Sequence, residues 1–395
     1  MKYASIFLLV VFCACNNVQE SNNASPYHLD QELPSDIPTV FGAGTISIKG
    51  RFDMGFAISP NGENIAFGVA HDADPNQTQI YLMSFSDGKW SKPNTQFLPD
   101  NRNTFFPMFS PQGDQFYFAK SVDNMPNDLW VADFKNNTIS NPRKLDSLIN
   151  SKTREAGHGK ATSGAFYFTS NRNLDYACCG DIYKAEKDNQ GQLNISLVEE
   201  INTQSDEESI FLSPDEDYMI IQSWQNEYRG KHDLYITYRE KSGNWTVPIR
   251  LNENINGGEI EQRPFVSPGN KHLFFSRMSI TQENGQDMFE SDLYWVSAKT
   301  VFAPFVYNPK TPPKMTLNER FEWKIPSDLF KDIDDEILSL ELSPKDASVL
   351  PEWLKFNKDE VSINGVWQSD QPLELTIKAT DSAGNSNHFD FTLSN

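Results

Sequence analysis

The sequence predicts an all-β protein, a β-propeller followed by a β-sandwich. A Ser-Pro turn set between an apolar run and an aromatic-rich run returns about every 52 residues. A second anchor, Asp-(Leu/Ile)-aromatic, keeps the same beat. No stretch of ten or more residues holds a 3.6-residue period, which removes helical solenoids.

Length and composition set the frame. A chain of 395 residues exceeds the ~250–300 that one core usually serves, so two domains are expected. Hydrophobic residues are 38%, which argues against many membrane spans. Aromatic residues are 12%, too many for a disordered chain. The 21 Gly and 23 Pro suit short strands and turns. A net charge of −20 disfavours nucleic acid, whose phosphates need clustered Lys and Arg.

At the amino terminus, Lys2 precedes an apolar run from Ala4 to Ala14. That is shorter than the ~20 residues a bilayer requires and reads as a secretory signal. The run ends Phe12-Cys13-Ala14-Cys15 and turns polar at Asn16-Asn17. This resembles a bacterial lipoprotein signal, with Phe12 where that family usually has an aliphatic residue. The resemblance implies removal of residues 1–14, acylation of Cys15, and an outer-membrane-anchored lipoprotein facing the periplasm or the cell surface. Residues 15–36 are polar and Pro-dotted and are expected to be a tether. Beyond the signal only the adjacent Cys178 and Cys179 remain. They offer a strained vicinal disulfide or two thiols, and no zinc spacing surrounds them.

Four copies of the first anchor are explicit: Phe56–Gly68, Phe106–Lys120, Ser209–Ser223 and Arg263–Arg277, with motif serines Ser59, Ser110, Ser213 and Ser267. A copy without Pro, Gly159–Ser170, fills the gap between the second and third. The other anchor reads Gln79-Ile80-Tyr81, Asp128-Leu129-Trp130, Asp181-Ile182-Tyr183, Asp233-Leu234-Tyr235 and Asp292-Leu293-Tyr294. Trp90 to Pro93 and Trp245 to Pro248 give a weaker third. Runs such as QFYFAK and YMIIQS suit a pleated surface packed on both faces. Pro presets φ in the turns and Gly or Asn takes the φ > 0 position. Units of this length with three or four strands fit propeller blades. Five units are visible. Thr39–Lys49 either closes the fifth or founds a sixth, and the expectation leans to six.

These copies resemble the TolB-like propeller repeat, whose signature is an apolar strand, Ser-Pro-Asp-Gly and an aromatic strand, as found in bacterial surface-associated lipoproteins. The resemblance covers residues 37–308. Asn61, Gln112 and Gly269 depart from the preferred Asp or Gly.

After Asn308-Pro-Lys-Thr-Pro-Pro313 the motif stops, and residues 309–395 carry about seven short strand-like runs, the pattern of a β-sandwich. Phe330, Asp332 and Asp334, then Leu350-Pro-Glu-Trp353-Leu354-Lys-Phe356, then Thr380-Asp381-Ser-Ala-Gly384 resemble, in that order, a dystroglycan-type cadherin-like domain. The same resemblance brings calcium into view at Asp332, Asp334, Asp335 and Asp381, against a solvated acidic loop.

Enzyme motifs are missing from the sequence: Gly-x-Ser-x-Gly, His-Glu-x-x-His and the P-loop. The histidines fall at different places in the repeat, so no converged metal site is expected. Equivalent positions before the inner strands hold Asp53, Glu155, Glu207-Glu208 and Glu261, with Thr104 in the second unit. Around a shared axis they would ring one mouth of the channel and attract cations, basic segments or polyhydroxyl ligands. The alternative is local turn capping or pairing with Arg51, Arg102, Arg154 or Arg263. The repeated Asp of Asp-Leu-Tyr is expected to bond inter-blade backbone N–H groups. The resulting expectation is an envelope-associated, non-catalytic binding or scaffold module for a protein partner or a glycan. The competing expectation is a carbohydrate-active lyase or hydrolase using channel carboxylates.

Overall fold

The structure, a computed structural model, describes residues 26–71, 77–122, 126–173, 180–224, 232–257, 260–283, 286–335, 338–345 and 349–395. Cys15, the remainder of the signal, and the Cys178–Cys179 pair lie outside the described residues.

The repeats form four-stranded antiparallel sheets, five among the described residues. Blade one comprises Arg51–Ile58, Asn64–His71, Thr78–Ser86 and Lys89–Trp90. Blade two comprises Thr104–Phe109, Gln115–Lys120, Asp128–Lys135 and Thr138–Lys144. Blade three is Glu155–Lys160, Phe166–Ser170, Asp181–Lys187 and Leu193–Leu197. Blade four is Asp206–Leu212, Tyr218–Trp224, Asp233–Tyr238 and Ile249–Arg250. Blade five takes Ile260–Val266, His272–Glu283 and Gln286–Ser297 from its own unit. The first strands of successive blades pack on one another, with that of blade five on that of blade one, so they surround a common axis.

The outer strand of blade five is Thr39–Val40, paired with Trp295 and Tyr294. The expected sixth blade does not form. Only two residues of Thr39–Lys49 are extended, because Gly42 and Gly44 turn the chain at positive φ. Phe41 and Ile46 then bury between blades five and one beside Phe56, Phe274 and Trp295. The two chain ends of the ring are thus joined by backbone hydrogen bonds as well as by packing, and the last blade gains the strand it lacked.

The fold also begins earlier than expected. Tyr27 is fully buried, its hydroxyl 2.7 Å from His272 Nδ1 and 3.2 Å from Ser267 Oγ. The tether therefore gives way to folded chain by Pro26 rather than at Ile37, because one aromatic residue in a polar stretch finds a slot between blades.

The repeat motif is a structural device. Oγ of Ser59, Ser110, Ser213 and Ser267 accepts the N–H of Asn64, Gln115, Tyr218 and His272 at 2.9–3.0 Å. This clamps the first strand to the second across the turn. The repeated Asp differs from expectation: Asp128 and Asp233 pair with Lys144 and Arg250 of the same blade. The backbone bonds assigned to Asp are made instead by four asparagines. Asn101, Asn150, Asn202 and Asn256 each accept from and donate to the backbone of Ile80, Leu129, Ile182 or Leu234. Each also donates to the loop after the outer strand. An amide side chain does this because it carries both an acceptor and a donor.

The carboxyl-terminal domain is a sandwich of two three-stranded sheets. One orders Arg320–Lys324, Ser362–Val366 and Leu354–Asn357; the other orders Ser339–Pro344, Leu373–Thr380 and Ser386–Leu393. Trp323, Ile363, Trp367, Ile377, Phe391 and Leu393 fill the space between them. Phe305–Val306 pairs with Phe330–Lys331, so this domain claims chain from before Asn308. The Phe305 ring stacks on Tyr238 of blade four at 4.4 Å, and Lys331 Nζ reaches Asp217 Oδ1 at 2.9 Å.

Candidate functional site

All five inner strands carry a bulge at the same height, following Asp53, Phe105, Glu155, Glu207 and Gln262. A bulge re-aims the side chains beside it. The expected ring of carboxylates does reach one height, but it does not face the channel. Asp53, Glu155, Glu207 and Glu261 are at most 4% exposed.

Their partners are local. Glu155 accepts from Ser151 Oγ at 2.6 Å and Ser170 Oγ at 2.9 Å, with Arg172 beside it. Glu207 accepts from Thr203 Oγ1 at 2.6 Å and Ser223 Oγ at 3.2 Å. Glu261 accepts from Arg277 Nε at 2.9 Å. Thr104, the uncharged member, donates to the Asn101 carbonyl at 3.1 Å. Burial pushes Glu207 and Glu261 up to about 7, although Thr203 and Arg277 pull the other way. Burial also raises Glu155, and raises Asp53 well above the usual carboxylate range, with Asp292 adding to it.

Glu208, the other half of the expected Glu207-Glu208 pair, is the one member of the expected ring that turns toward the axis. Its Oε1 accepts from Arg154 Nη2 at 2.7 Å and its Oε2 from Gln222 Nε2 at 3.0 Å. His232 Nδ1 lies 3.6 Å away. Burial acts to raise Glu208, but Arg154, Arg263 and His232 outweigh it and hold the carboxyl below its ordinary value.

Arg263 occupies the axis itself. It sits in the bulge of blade five at φ +54, and its N–H donates to Ser209 Oγ at 3.1 Å. Nη1 donates to the Asp53 carbonyl at 2.9 Å, and the guanidinium lies 5.4 and 5.5 Å from the centres of the Phe52 and Phe106 rings. Its Nε has no hydrogen-bond partner among the described residues. Burial lowers the Arg263 pKa to about 10, with Glu208 and Asp53 opposing the shift.

Beyond Arg263 the channel widens into a cavity of about 440 Å³ lined by Phe56, Phe106, Met108, Phe211 and Phe265. Its far end lies among the Ser-Pro turns, where Lys331, Asp332 and Ile333 of the sandwich domain form part of the wall. The channel is thus apolar inside, charged at the entrance and bounded at its base by the second domain.

Among the described residues, Asp206, Glu208 and His232 bring ligand atoms within 4.8 Å of one another. The Gln222 amide already lies between Glu208 Oε2 and His232 Nδ1, at 3.0 and 2.6 Å, and Arg154 balances the charge. The trio is therefore held together by protein donors. Arg154 and Arg263, offered by the sequence as alternative partners of the carboxylates, make this entrance a mixed-charge patch together with Gln222, whose part no sequence motif signalled. A clue was present in Arg154 and Arg263, which flank Glu155 and Glu261 in the sequence.

Residues 303–395 match the family described as "Putative Ig domain". A sequence search of curated proteins finds no match. Among solved structures, TolB from Acinetobacter baumannii is similar at 15% identity and a TM-score of 0.38, over 62% of this chain and 53% of that one. The chain thus spans about half the length of that protein. A structure described as "putative TolB" from Agrobacterium tumefaciens is similar at 14% identity and a TM-score of 0.39, over 62% of this chain and 90% of that one. A prolyl endopeptidase structure is similar at 12% identity and a TM-score of 0.36, over 84% of this chain and 46% of that one.

Proposed function

We propose that the protein is a non-catalytic binding module of the bacterial envelope, taking a segment of a protein partner at the channel entrance around Arg154, Glu208 and Arg263. One observation carries this reading. Glu207 and Glu261, the propeller carboxyls raised to about 7, are sealed between blades, whereas at the entrance Glu208 is paired with Arg154 and held ionised, and its neighbour Asp206, raised by burial, accepts the Gly180 N–H at 2.7 Å. Acid–base hydrolysis of a glycoside needs two carboxyl groups facing one substrate, one of them protonated near neutral pH. Binding needs fixed charges around an apolar recess, which is what Glu208, Arg263 and the Phe-lined cavity supply. The Phe56, Phe106, Phe211 and Phe265 rings would enclose an apolar side chain of a protein segment.

The lipoprotein-like signal supports anchoring through Cys15, and the cadherin-like motif order supports a spacer role for the sandwich domain. Pull-down from crosslinked envelope with the full chain and with the Arg154→Ala/Glu208→Gln variant tests the proposal. A protein captured by the first and lost from the second is the expected result. Turnover of a polysaccharide that Glu207→Gln or Glu261→Gln abolishes would replace binding by the carbohydrate-active alternative.

A further inference from the structure

A second recess lies on the flank of blade one and shares no lining residue with the channel cavity. Tyr81, Met83 and Phe85 alternate along the third strand and so share one face of the sheet. Trp90 of the outer strand pairs opposite Phe85, with the rings 5.5 Å apart. The facing wall is not a full sheet but the amino-terminal segment, at His28–Gln31 and Gly44–Ile48, and the cleft between them measures about 1250 Å³.

The charge of this cleft runs against that of the molecule. Acidic residues outnumber basic ones 54 to 34 in the chain. Yet the cleft is lined by Arg51, Lys89 and Lys92 against a single carboxylate, Asp30. Lys89 and Lys92 are exposed, and none of the three cations forms a salt bridge among the described residues. The Arg51 guanidinium lies 5.7 Å from the centre of the Tyr81 ring.

We infer that this cleft binds an anionic polysaccharide, a chain of uronate or similarly charged sugars. Sugar rings present flat C–H faces that pack on exposed aromatic rings, and their carboxylates meet the cations at the rim. The cleft is open and, at about 1250 Å³, larger than the ~300–1,000 Å³ of a small-molecule pocket. It also lacks the features a peptide would use. The outer strand is only two residues long, too short for strand addition, and the rings form a wall, not a closed pocket for an anchor side chain. The inference is independent of the proposal for the channel entrance.

The test is affinity electrophoresis of the full chain in gels containing polygalacturonate, with dextran, polyglutamate and phosphatidylserine vesicles as comparison probes. Retardation by polygalacturonate and not by dextran is expected, weakening as salt rises. Lys89→Glu/Lys92→Glu, two exposed positions that leave the core intact, should weaken binding at least tenfold. Trp90→Ala should weaken it at all salt concentrations, while Glu208→Gln should leave it unchanged. Equal or stronger binding of polyglutamate or of the vesicles would overturn the inference in favour of an acidic peptide or a lipid surface. No retardation by polygalacturonate, or retardation that survives the double lysine variant, would overturn it outright.

Discussion

Nη1 of Arg263 donates to the backbone carbonyl of Asp53 at 2.9 Å, tying blade five to blade one across 210 residues of sequence. The bond lies at the seam where the ring closes, and Thr39–Val40 closes the same seam at its outer edge. Arg263 holds φ +54 to make it, a conformation costing an L-residue about 1–2 kcal/mol.

Substitution at Arg263 should therefore give an inverted order of stabilities. Arg263→Ala loses the guanidinium contacts and keeps the unfavourable backbone angle. Arg263→Gly loses the same contacts and relieves the angle, so it should be the more stable by about 1 kcal/mol. Urea unfolding of both variants checks this; an alanine variant at least as stable as the glycine one would mean that the bulge carries no strain.

Asn256 accepts from Leu234 N–H at 2.8 Å and donates to the Leu234 and Leu251 carbonyls, both at 3.0 Å. Asn256→Ala orphans two buried backbone groups, the Leu234 N–H and the Leu251 carbonyl, while the Leu234 carbonyl keeps the Leu251 N–H at 2.9 Å, and should cost at least about 2 kcal/mol. Asn256→Asp should be worse despite its similar shape, because a carboxylate cannot donate to the two carbonyls and adds a buried charge. Denaturation midpoints of the two variants separate these effects.

Buried carboxylates make stability depend on pH in a direction that can be worked out. Glu207 and Glu261 rise from 4.5 unfolded to about 7 folded, so the native state binds their protons more tightly. Their stabilisation is complete below pH 4.5 and is lost as pH rises through 7, at about 1.4 kcal/mol per pH unit per group. His158 and His272 work the other way. Burial lowers both to about 4, so their share is present above 6.5 and is lost as pH falls toward 4. Glu207→Gln should isolate the first effect: relative to the parent it should gain stability from pH 5 to 8. A constant difference across that range would place the Glu207 pKa near its ordinary value.

The repeat was legible because its two anchors are contiguous words, Ser-Pro and Asp-Leu-Tyr, that each build a local turn or strand. The asparagine anchor was harder to see, since its partners lie about 20 residues upstream. Its trace is an Ile-Asn pair at 149–150, 201–202 and 255–256, blurred after blade one, where Asp100 precedes Asn101. The height of Asp53, Glu155, Glu207 and Glu261 followed from repeat spacing alone. Their direction did not, because the bulge beside them has no sequence signature: its unpaired residues are Met54-Gly55, Phe106-Pro107, Ala156-Gly157, Glu208 or Arg263-Pro264. Blade number turned on whether Thr39–Lys49 pairs or turns, which the burial of Phe41 and Ile46 between distant blades decides.

The two domains should unfold together only while Phe305 joins them. Phe305 is 1% exposed, stacks on Tyr238 and belongs to the apolar core shared by blades four and five. Its neighbour Val306 pairs with Phe330 and packs on the sandwich core. The other links include two partly exposed ion pairs of small individual worth, Lys331–Asp217 and Lys241–Asp328, the Asn385 amide donating to the Lys299 carbonyl at 3.0 Å, and Ile333 packed on the same core. Phe305→Ala should cost about 3–5 kcal/mol at this junction. Because the sandwich keeps its own core around Trp323, Trp367 and Ile377, it should then melt as a separate transition. Calorimetry of the full chain is expected to show one cooperative peak in the parent and two in the variant. A single shifted peak in Phe305→Ala would mean that the ion pairs and the Ile333 contact suffice to couple the domains.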